Sequence, residues 1–598
     1  MCGIAGILSI KPTQDYPESR IQFMQKRLQH RGSDDQGIYI SPDQQAAFAH
    51  TRLSILDLTA AGHQPMSIAN GRYWITFNGE IYNFQELRSN LEAKGETFYS
   101  QTDTEVILKL YQSKGKDCVQ DLQGMFAFAI WDDWEKSCFI ARDPLGIKPL
   151  YYYQSGSTLV FASELRAILA SQLPPITLSS GGLYGYLTRG SVPEPYTMID
   201  DVWCLEAGCW LYSQEGKSTQ NQYWQIQFTS EAISQEQAQA KVRAALMDSI
   251  QHHFISDVPV GIFLSGGIDS SSVLALARQV QTGNLRTYSI AFEEEAWNEG
   301  DLAQNIATQF ETEHTEYKIT ASLAKSLLPK FLASIDQPSI DGFNTFCVSQ
   351  VAHQDGTKVV LSGLGGDELF GGYQSFQKVP QMVRLAKQFQ SLTPLMGRLG
   401  QGLESLGKSP RARRLGDFLQ KKPTTPSAYG SFRGIFSHQE ACLIANHYLP
   451  DAPIFSRQQE QRSIPSFPSL EDEVSFLELT HYMRNQLLKD SDVMSMTWGL
   501  ELRVPLVDRA LLETISSIPS ALRLAPGKQL LTQSIPGLPD WVVNQPKRGF
   551  SFPFQKWIEG EWDDYFRMTN FPEQISLQLW YRRWSLAILQ HWWESIST

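Results

Sequence analysis

Cysteine, net positive charge and long apolar runs are all scarce in this chain of 598 residues. Seven cysteines are few and odd in number for the disulfide framework of a secreted domain, so we expect a cytoplasmic protein. A net charge of −12 repels phosphate backbones and indicates no nucleic-acid partner. No run of about 18 apolar residues is available to span a bilayer, and the start of the chain lacks the basic region of a secretion signal. We therefore expect no membrane partner.

What the chain does have is length and apolar content. Its 598 residues exceed one ordinary core, and 42% hydrophobic with 19% charged residues excludes a disordered chain or a coiled coil. In the first 165 residues, short aromatic and β-branched runs predict strands over 125–131, 138–141, 150–153 and 159–162. Helices are predicted over 84–93 and 103–111, the second with Thr102 as its N-cap. Blocks of strands and helices indicate an α+β layered domain.

From about residue 235 the pattern changes to an alternation of strands and helices. Strands are predicted over 258–264, 287–292 and 358–361, and helices over 271–280 and 301–310. This alternation is typical of an α/β doubly wound parallel sheet. Between the two patterns, the proline and glycine content of 170–225 predicts a linker and an edge hairpin. Six of the 15 tryptophans lie between Trp557 and Trp593, which predicts a terminal helical layer packed on the core.

The segment 384–422 stands apart in charge. It carries nine lysines or arginines against two acids, Glu404 and Asp417. We favour a solvated insertion with charges on helix faces. The alternative is a contact for an acidic partner or substrate.

A first chemical candidate is Cys2. It becomes the first residue if the initiator methionine is removed, which its small side chain permits. A free α-amine titrates near about 7.7–8.0 and can act as a base beside its own thiol. One residue then supplies both nucleophile and base, although an early cysteine alone is more often an inert thiol.

Groups that complement such a nucleophile follow downstream. Arg52 is a cation suited to a substrate carboxylate. Asn78 and Gly79 offer an amide side chain and a backbone N–H, the donors that an oxyanion hole needs. Asp103, at the start of a predicted helix, can pair with a substrate ammonium.

Together with the turn and strand of Arg142–Leu150, these segments resemble the class II, N-terminal-nucleophile glutamine amidotransferases. The resemblance implies that Cys2 attacks the glutamine side-chain amide, forms a glutamyl thioester and releases ammonia, while Asn78 and Gly79 stabilise the oxyanion. It implies that glutamine is bound by Arg52, Leu53, Ser54, Asn78, Gly79, Glu80 and Asp103. Ser33 stands where this family usually has proline, and we expect that change to alter a turn rather than the chemistry.

A second chemical candidate is the loop Phe263–Ser271, which follows a predicted strand and opens a helix. Its glycines free backbone N–H groups to cradle phosphate, and the helix N-terminus adds partial positive charge. The loop lacks the G-x-x-x-x-G-K pattern of a Walker A site. It resembles the pyrophosphate loop of ATP pyrophosphatases, and an ordinary strand–helix turn is the alternative.

Three further residues complete this second candidate. The glycine-rich loop Leu361–Tyr373 also follows a strand, and its Asp367, with Asp269, can hold Mg²⁺. Lys547 can neutralise charge on an α-phosphate or on leaving pyrophosphate. Buried helices and buried ion pairs explain most of the segment Leu487–Asp508 without catalysis.

From Cys2 to about Trp557 the chain resembles the glutamine-dependent asparagine synthetases. The resemblance implies an αββα glutaminase domain over 2–212 and an ATP-pyrophosphatase domain with helical additions over 230–598. ATP would activate an acceptor carboxylate, L-aspartate first of all, as an acyl-adenylate, and ammonia would reach it through an internal passage. By the same resemblance, ATP would be bound by Leu264, Ser265, Gly266, Gly267, Asp269, Ser270, Ile290, Ser362 and Gly363. A homodimer is the family-based expectation.

Two positions near the expected acceptor pocket depart from the family pattern. Leu364 stands where asparagine synthetases usually have the glutamate tied to the adenylate, and Gln337 stands where glutamate is common. A larger or less charged carboxylate would tolerate Leu364 better than aspartate does, so another acceptor stays open. Two other interpretations also stay open: a non-catalytic paralogue that acts as a binding partner, and a glutaminase whose second half only regulates it.

Overall fold

The computed structural model of this protein describes residues 2–9, 17–295, 297–389, 393–407, 409–450, 464–545, 552–568, 572 and 574–597. No helix in these ranges has both the length and the apolar content that crossing a bilayer requires.

Two facing antiparallel sheets form the amino-terminal half. The strands are β1 (Gly3–Ser9), β2 (Asp35–Ile40), β3 (Ala46–Arg52), β4 (Met66–Ile68), β5 (Tyr73–Ile81), β6 (Gly124–Asp132), β7 (Ser137–Arg142), β8 (Tyr151–Ser155), β9 (Thr158–Ala162), β10 (Val202–Cys204), β11 (Cys209–Gln214) and β12 (Lys217–Gln222). One sheet has the order β10-β8-β9-β1-β3-β2, and the other β12-β11-β7-β6-β5-β4. Ile4 and Phe48 of the first sheet share one buried cluster with Ala127 and Ile140 of the second. The four strands predicted here are confirmed.

Helices cover the outer faces of both sheets. They are α1 (Pro17–Arg27), α2 (Phe84–Glu92), α3 (Asp103–Lys114), α4 (Leu165–Ala170) and α5 (Ser180–Arg189). The helices α1 and α4 pack on the sheet that contains β1, while α2 and α3 pack on the sheet that contains β5. Thr102 caps α3 by accepting a hydrogen bond from the Glu105 amide, as predicted. The layered αββα architecture expected of this half is therefore present.

A five-stranded parallel sheet organises the carboxyl-terminal half. Its strands are β13 (Val260–Phe263), β14 (Arg286–Phe292), β15 (Glu313–Ile319), β16 (Val359–Leu361) and β17 (Glu501–Arg503), in the order β15-β14-β13-β16-β17. Every neighbouring pair is parallel, which confirms the predicted doubly wound α/β fold. The carboxyl ends of β13 and β16 are adjacent, so the loops that follow them meet.

Helices surround this sheet and continue beyond it. They are α6 (Gln235–His253), α7 (Ile268–Val280), α8 (Gly300–Gln309), α9 (Ala321–Ser334), α10 (Phe343–Gln354), α11 (Gly366–Phe370), α12 (Ser375–Gln388), α13 (Thr393–Leu406), α14 (Pro410–Leu419), α15 (Thr425–Arg433), α16 (His438–Tyr448), α17 (Leu470–Leu477), α18 (Lys489–Met496), α19 (Arg509–Ser516), α20 (Ser520–Arg523), α21 (Gln529–Ser534), α22 (Asp540–Val543), α23 (Phe554–Glu559), α24 (Asp563–Phe566) and α25 (Trp580–Ser597). A π-helix, Glu478–Leu488, joins α17 to α18. Trp557, Trp562 and Trp584 are fully buried in this layer, which confirms their predicted packing role.

The segment 170–225 differs from its prediction. The hairpin β11–β12 lies at a sheet edge, as predicted. The linker is wrong, because Ser180–Arg189 forms α5 and Gly181–Thr188 are all buried. Gly182 and Gly185 allow this packing, since a Cβ on them would lie 2.0 Å from the Thr197 carbonyl oxygen and 2.4 Å from the Pro193 ring. Because β12 continues the same sheet to Gln222, we propose that the amino-terminal domain extends beyond residue 212.

Candidate active site

Cys2 immediately precedes β1, a central strand of the first sheet. Its backbone N–H donates to Asn78 Oδ1 at 2.9 Å, so the two residues that the sequence analysis paired do meet. Burial raises the pKa of the Cys2 thiol, while the Leu53 amide and the Arg52 charge act in the opposite direction. The thiol is thus buried, and the Leu53 amide and the Arg52 charge are the groups beside it that favour its ionised form.

The Asn78–Gly79 pair supplies a buried donor without a partner in the described structure and a backbone that requires glycine. Asn78 is fully buried, and its Nδ2 has no hydrogen-bond partner among the described residues. A buried donor without a partner is costly, so it indicates a position meant for a ligand acceptor. Gly79 has φ +151°, and a Cβ there would lie 2.1 Å from the Met125 carbonyl oxygen. A side chain at position 79 would therefore clash with β6, so this backbone conformation requires glycine.

Arg52 is fixed by the loop that follows it. Its guanidinium donates to the carbonyl oxygens of Leu56, Asp57 and Thr59 at 3.2, 2.5 and 3.0 Å. These three bonds pre-orient the cation before any carboxylate binds. Leu53 contributes the backbone amide that faces the thiol, and the Ser54 amide donates to Asp34 Oδ2 at 2.7 Å.

Two buried acids, Glu80 and Asp103, complete this site. Asp103 Oδ2 accepts a hydrogen bond from the Ile81 amide at 2.9 Å, which ties α3 to the end of β5. Burial raises the pKa of Asp103 to about 7. Burial and the neighbouring Glu501 raise the pKa of Glu80 well above its ordinary value. An ammonium group that binds here would stabilise the ionised form of both carboxyl groups.

Sequence analysis missed the bridge that β17 builds from this site to the second one. The Arg503 guanidinium lies 3.5 Å from Glu80, and its Nε donates to Glu501 at 2.6 Å. The Arg503 carbonyl oxygen accepts the Ser362 amide at 2.9 Å. One residue therefore touches a predicted glutamine-binding residue and a predicted ATP-binding residue. Glu501 and Arg503 were expected only to form buried ion pairs, which they do.

A second buried contact joins the two halves through Arg31. Its Nε donates to the Cys2 carbonyl oxygen at 3.0 Å, and its two terminal nitrogens pair with Glu164 at 2.9 Å and Asp492 at 2.8 Å. All three charged side chains are buried. Removing one partner of a buried pair leaves an uncompensated charge, so this contact holds the Cys2 backbone to α18 of the other half.

The second predicted site lies at the carboxyl edge of the parallel sheet. Leu264 directly follows β13, and its amide donates a hydrogen bond to the Tyr288 carbonyl oxygen at 2.8 Å. The loop Ser265–Gly267 then leads into α7. Gly266 has φ +76°, and the Ser265 amide donates to Ser270 Oγ at 3.2 Å. Ile290 lies on β14, which pairs with β13. The predicted ATP-binding residues in the loop after β13 thus lie next to the strand that carries Ile290.

The loops after β13 and β16 are packed against each other. A Cβ on Gly363 would lie 2.7 Å from the Ser270 amide nitrogen, and one on Gly366 would lie 2.3 Å from Asp269 Oδ1. Glycine at these positions is what allows the contact. Ser362, Gly363 and Asp269 are therefore brought together as the sequence predicted.

Lys528 was not predicted, yet it occupies the centre of this site. Its ammonium lies 2.6 Å from both oxygens of Asp269 and also contacts Asp367. Although burial lowers it, the two carboxylates raise the pKa of Lys528 above its ordinary value. Asp269 and Asp367 thus converge on one cation, so the chemistry of the pair suits a divalent ion as well. Among the residues that the structure describes, no cluster of three acidic, histidine or cysteine side chains forms a metal site. Lys547 lies outside the described residues.

The departures at Leu364 and Gln337 have different surroundings. Leu364 is partly buried and packs against the apolar core beneath the sheet. Gln337 instead faces the amino-terminal half, where its Oε1 accepts the Met198 amide at 3.0 Å. The Gln337 change is therefore explained by a contact between the halves, whereas the Leu364 change alters the loop beside Asp367.

A cavity of about 540 Å³ is lined by residues of both halves of the chain. Its aromatic lining residues are Phe343, Tyr429, Tyr482, Phe552, Phe554, Trp580 and Trp584. The Tyr482 ring packs against Tyr373 at 5.8 Å, and Tyr373 donates to Glu368, the neighbour of Asp367, at 2.8 Å. One ring contact and one hydrogen bond therefore connect Tyr482, which lines the cavity, to the loop of Asp367.

Comparison with known proteins matches both halves. A family model described as a glutamine amidotransferase domain matches residues 1–224, and one described as asparagine synthase matches residues 241–594. Glutamine-hydrolyzing asparagine synthetase 1 of Bacillus subtilis (strain 168) is 34% identical over 578 residues, covering 95% of this chain and 89% of that protein. Glutamine-hydrolyzing asparagine synthetase B of Escherichia coli (strain K12) is 33% identical over 410 residues, covering 65% and 67%.

Among solved structures, glutamine phosphoribosylpyrophosphate amidotransferase from B. subtilis matches with a TM-score of 0.30 and 16% identity. The match covers 53% of this chain and 65% of that chain.

Proposed function

We propose a two-site reaction for this chain, which belongs to the asparagine synthase family and is a ligase of the glutamine-hydrolysing type. Glutamine gives up its amide nitrogen at Cys2. ATP activates a carboxylate at the loops that follow β13 and β16. The freed ammonia then attacks the activated carboxylate within the same polypeptide.

At the first site, the Cys2 thiol attacks the glutamine amide carbon, and the α-amine of a processed amino terminus carries its proton to the leaving ammonia. Asn78 Nδ2 and the Gly79 amide are the donors for the oxyanion. Arg52 binds the glutamine carboxylate, and Asp103 with Glu80 receives its ammonium. Water then cleaves the thioester to glutamate. The partnerless Asn78 Nδ2 supports this assignment.

At the second site, an acceptor carboxylate oxygen attacks the α-phosphorus of ATP, pyrophosphate leaves, and an acyl-adenylate forms. The glycine loops provide backbone donors for phosphate. Asp269 and Asp367 would hold Mg²⁺, which neutralises phosphate charge when it is bound. Lys528, and by resemblance Lys547, adds positive charge where pyrophosphate departs. Ammonia then attacks the acyl carbon and AMP leaves.

The observation that carries the coupling is the position of Arg503. Its side chain faces Glu80 at the first site, and its carbonyl oxygen accepts the Ser362 amide at the second. Beside it, Leu53 and Ile55 share an apolar cluster with Val359 and Met496 of the other half. We infer that neutral ammonia crosses between the halves along these apolar side chains.

L-Aspartate is the first acceptor to test, since the curated relatives are named as asparagine synthetases. A second candidate is a bulkier carboxylic acid. It is favoured by the apolar Leu364, three residues before Asp367, which a less charged acid would tolerate better than aspartate. The two candidates share every step except the identity of the acid.

The deciding experiment is a panel of carboxylic acids, scored by pyrophosphate release with Mg-ATP and glutamine, with the product identified by mass spectrometry. We expect release with aspartate or with a bulky acid, and an amide of equal amount. If a bulky acid is preferred, Leu364→Glu should raise aspartate turnover, with Leu385→Glu as the matched change at an exposed site. Absence of pyrophosphate with every acid would favour the non-catalytic paralogue, and glutamate release without any acceptor-dependent AMP would favour the regulated glutaminase.

A further inference from the structure

The basic segment 384–422 contains an unusual concentration of exposed apolar side chains. Seven of the seventeen large hydrophobic residues exposed in the described ranges lie in it: Leu385, Phe389, Leu395, Leu399, Leu403, Leu406 and Leu415. Scattered single apolar residues on a surface need no explanation, but a contiguous group does. None of these residues takes part in the two sites described above.

Four of them form one stripe on α13. At 100° per residue, Leu395, Leu399, Leu403 and Leu406 fall within a sector of about 80°. They are 54%, 52%, 37% and 83% exposed. We call these four residues the leucine face. At this exposure, the four side chains protrude from the surface of the protein as a ridge.

The opposite side of α13 packs against the rest of the protein. A Cβ on Gly400 would lie 2.7 Å from the Gly416 carbonyl oxygen, so α13 and α14 are in close contact. Glu404 is buried and accepts hydrogen bonds from Gln420 Nε2 at 2.6 Å and from the Gln439 amide at 2.9 Å. These contacts fix the rotation of α13, so the leucine face is presented outward by the fold.

The exposed charges within the segment 384–422 are of one sign. Lys387, Arg398, Arg411 and Lys422 are exposed. Of the segment's two acids, Glu404 is buried and Asp417 pairs with Lys421 at 2.9 Å. The exposed groups thus combine leucines with cations, in a chain whose overall net charge is −12.

We propose that the leucine face binds the surface of an anionic lipid bilayer. Leucines enter the acyl boundary, and the long lysine and arginine side chains extend to the headgroups. A fluid surface accepts a protruding ridge without a matching groove. A symmetric contact between two copies would instead oppose cation to cation, which charge complementarity disfavours. Binding of this kind is peripheral and does not require a spanning helix.

Vesicle co-sedimentation of the full-length protein tests this proposal. We expect it to bind phosphatidylcholine vesicles that contain phosphatidylglycerol, not vesicles of phosphatidylcholine alone. Raising the salt from about 0.15 M to about 1 M shortens the screening length from about 8 Å to about 3 Å, so binding should weaken. Leu399→Asp should reduce binding at least about tenfold, since burying one leucine contributes that much. Arg398→Glu should also weaken it.

The matched controls are Ile176→Asp and Lys94→Glu, which alter exposed residues of the amino-terminal half and should bind as the parent protein does. Glutaminase activity confirms that every variant is folded. Absence of binding to either vesicle, or equal binding to both, would overturn the proposal. So would a dimer, seen by analytical ultracentrifugation, that Leu399→Asp dissociates while vesicle binding is absent, because that result would assign the face to a second copy.

Discussion

The two sites differ in how completely the protein alone balances their charges. At the Cys2 site, Asn78 Nδ2 has no partner in the described structure, and the pKa of Asp103 is raised by burial to about 7. At the parallel sheet, Asp269 and Asp367 already share the Lys528 ammonium. The first site therefore gains directly when a polar ligand enters. On the proposed function, magnesium and phosphate at the second site would have to displace the Lys528 ammonium from these two carboxylates.

Replacing Cys2 separates the sites most strongly. Cys2→Ala removes the nucleophile, so glutamine-dependent synthesis should fall by about a thousandfold or more. Ammonia-dependent synthesis should remain, because the second site keeps all its groups. Parallel assays with glutamine and with ammonium chloride make the comparison. Loss of both activities in a folded variant would show that the sites are not separable.

The reciprocal change is Asp269→Asn. It removes charge from the pair that would hold magnesium, so pyrophosphate release should fall by about a hundredfold or more. Glutamate release should persist. Asp301→Asn, which alters an exposed acid on α8, is the control and should change neither activity. An equal loss of glutaminase activity would contradict the claim that glutamine hydrolysis and ATP use take place at separate sites.

The acidity of the Cys2 site should appear in its pH profile. In the proposed mechanism, ionised Asp103 binds the glutamine ammonium, and the α-amine must also be unprotonated. Because the pKa of Asp103 is raised to about 7, both groups lose their function below that pH. The logarithm of kcat/KM for glutamine should then rise with a slope near about 2 in acid. Asp103→Asn should reduce the slope to about 1, and an unchanged slope would exclude this role for Asp103.

The smallest effect is expected from the N-cap of α3. Thr102→Ala removes the bond to the Glu105 amide and should cost about 1 kcal/mol of stability. It also loosens Asp103, so KM for glutamine should rise slightly while ammonia-dependent synthesis stays constant. Thermal unfolding and steady-state kinetics measure the two effects. Thr425→Ala, outside the glutamine site, should leave KM for glutamine unchanged.

Local sequence pattern located some residues of both sites. At the Cys2 site, residue type and family resemblance singled out Arg52, Asn78 and Gly79, although the strands β3 and β5 that carry them were not predicted. Asp103 follows a recognisable cap. Strand–helix alternation likewise located the loops of Asp269 and Ser362, because parallel strands place their carboxyl ends at one edge. Local pattern was sufficient where the alternation of strands and helices determined where a loop lies.

Long-range charge pairing was not readable. Lys528 follows a short turn with no periodic context, and only the folded chain brings it to Asp269, 259 positions away. Arg503 faces Glu80 for the same reason. The helix Ser180–Arg189 was taken for a linker because its glycines suggest turns, yet those glycines serve close packing against Pro193 and Thr197. Tertiary contact decided these positions, and local propensity did not.

The most direct test of two coupled sites follows the nitrogen itself. The protein is supplied with glutamine labelled with heavy nitrogen in its side-chain amide, Mg-ATP and its acceptor, in a buffer with excess unlabelled ammonium. Mass spectrometry of the product amide then reports which nitrogen was used. Transfer between Cys2 and the adenylate inside the protein predicts that the product carries the heavy label throughout. Label diluted to the level of the bulk ammonium would contradict it.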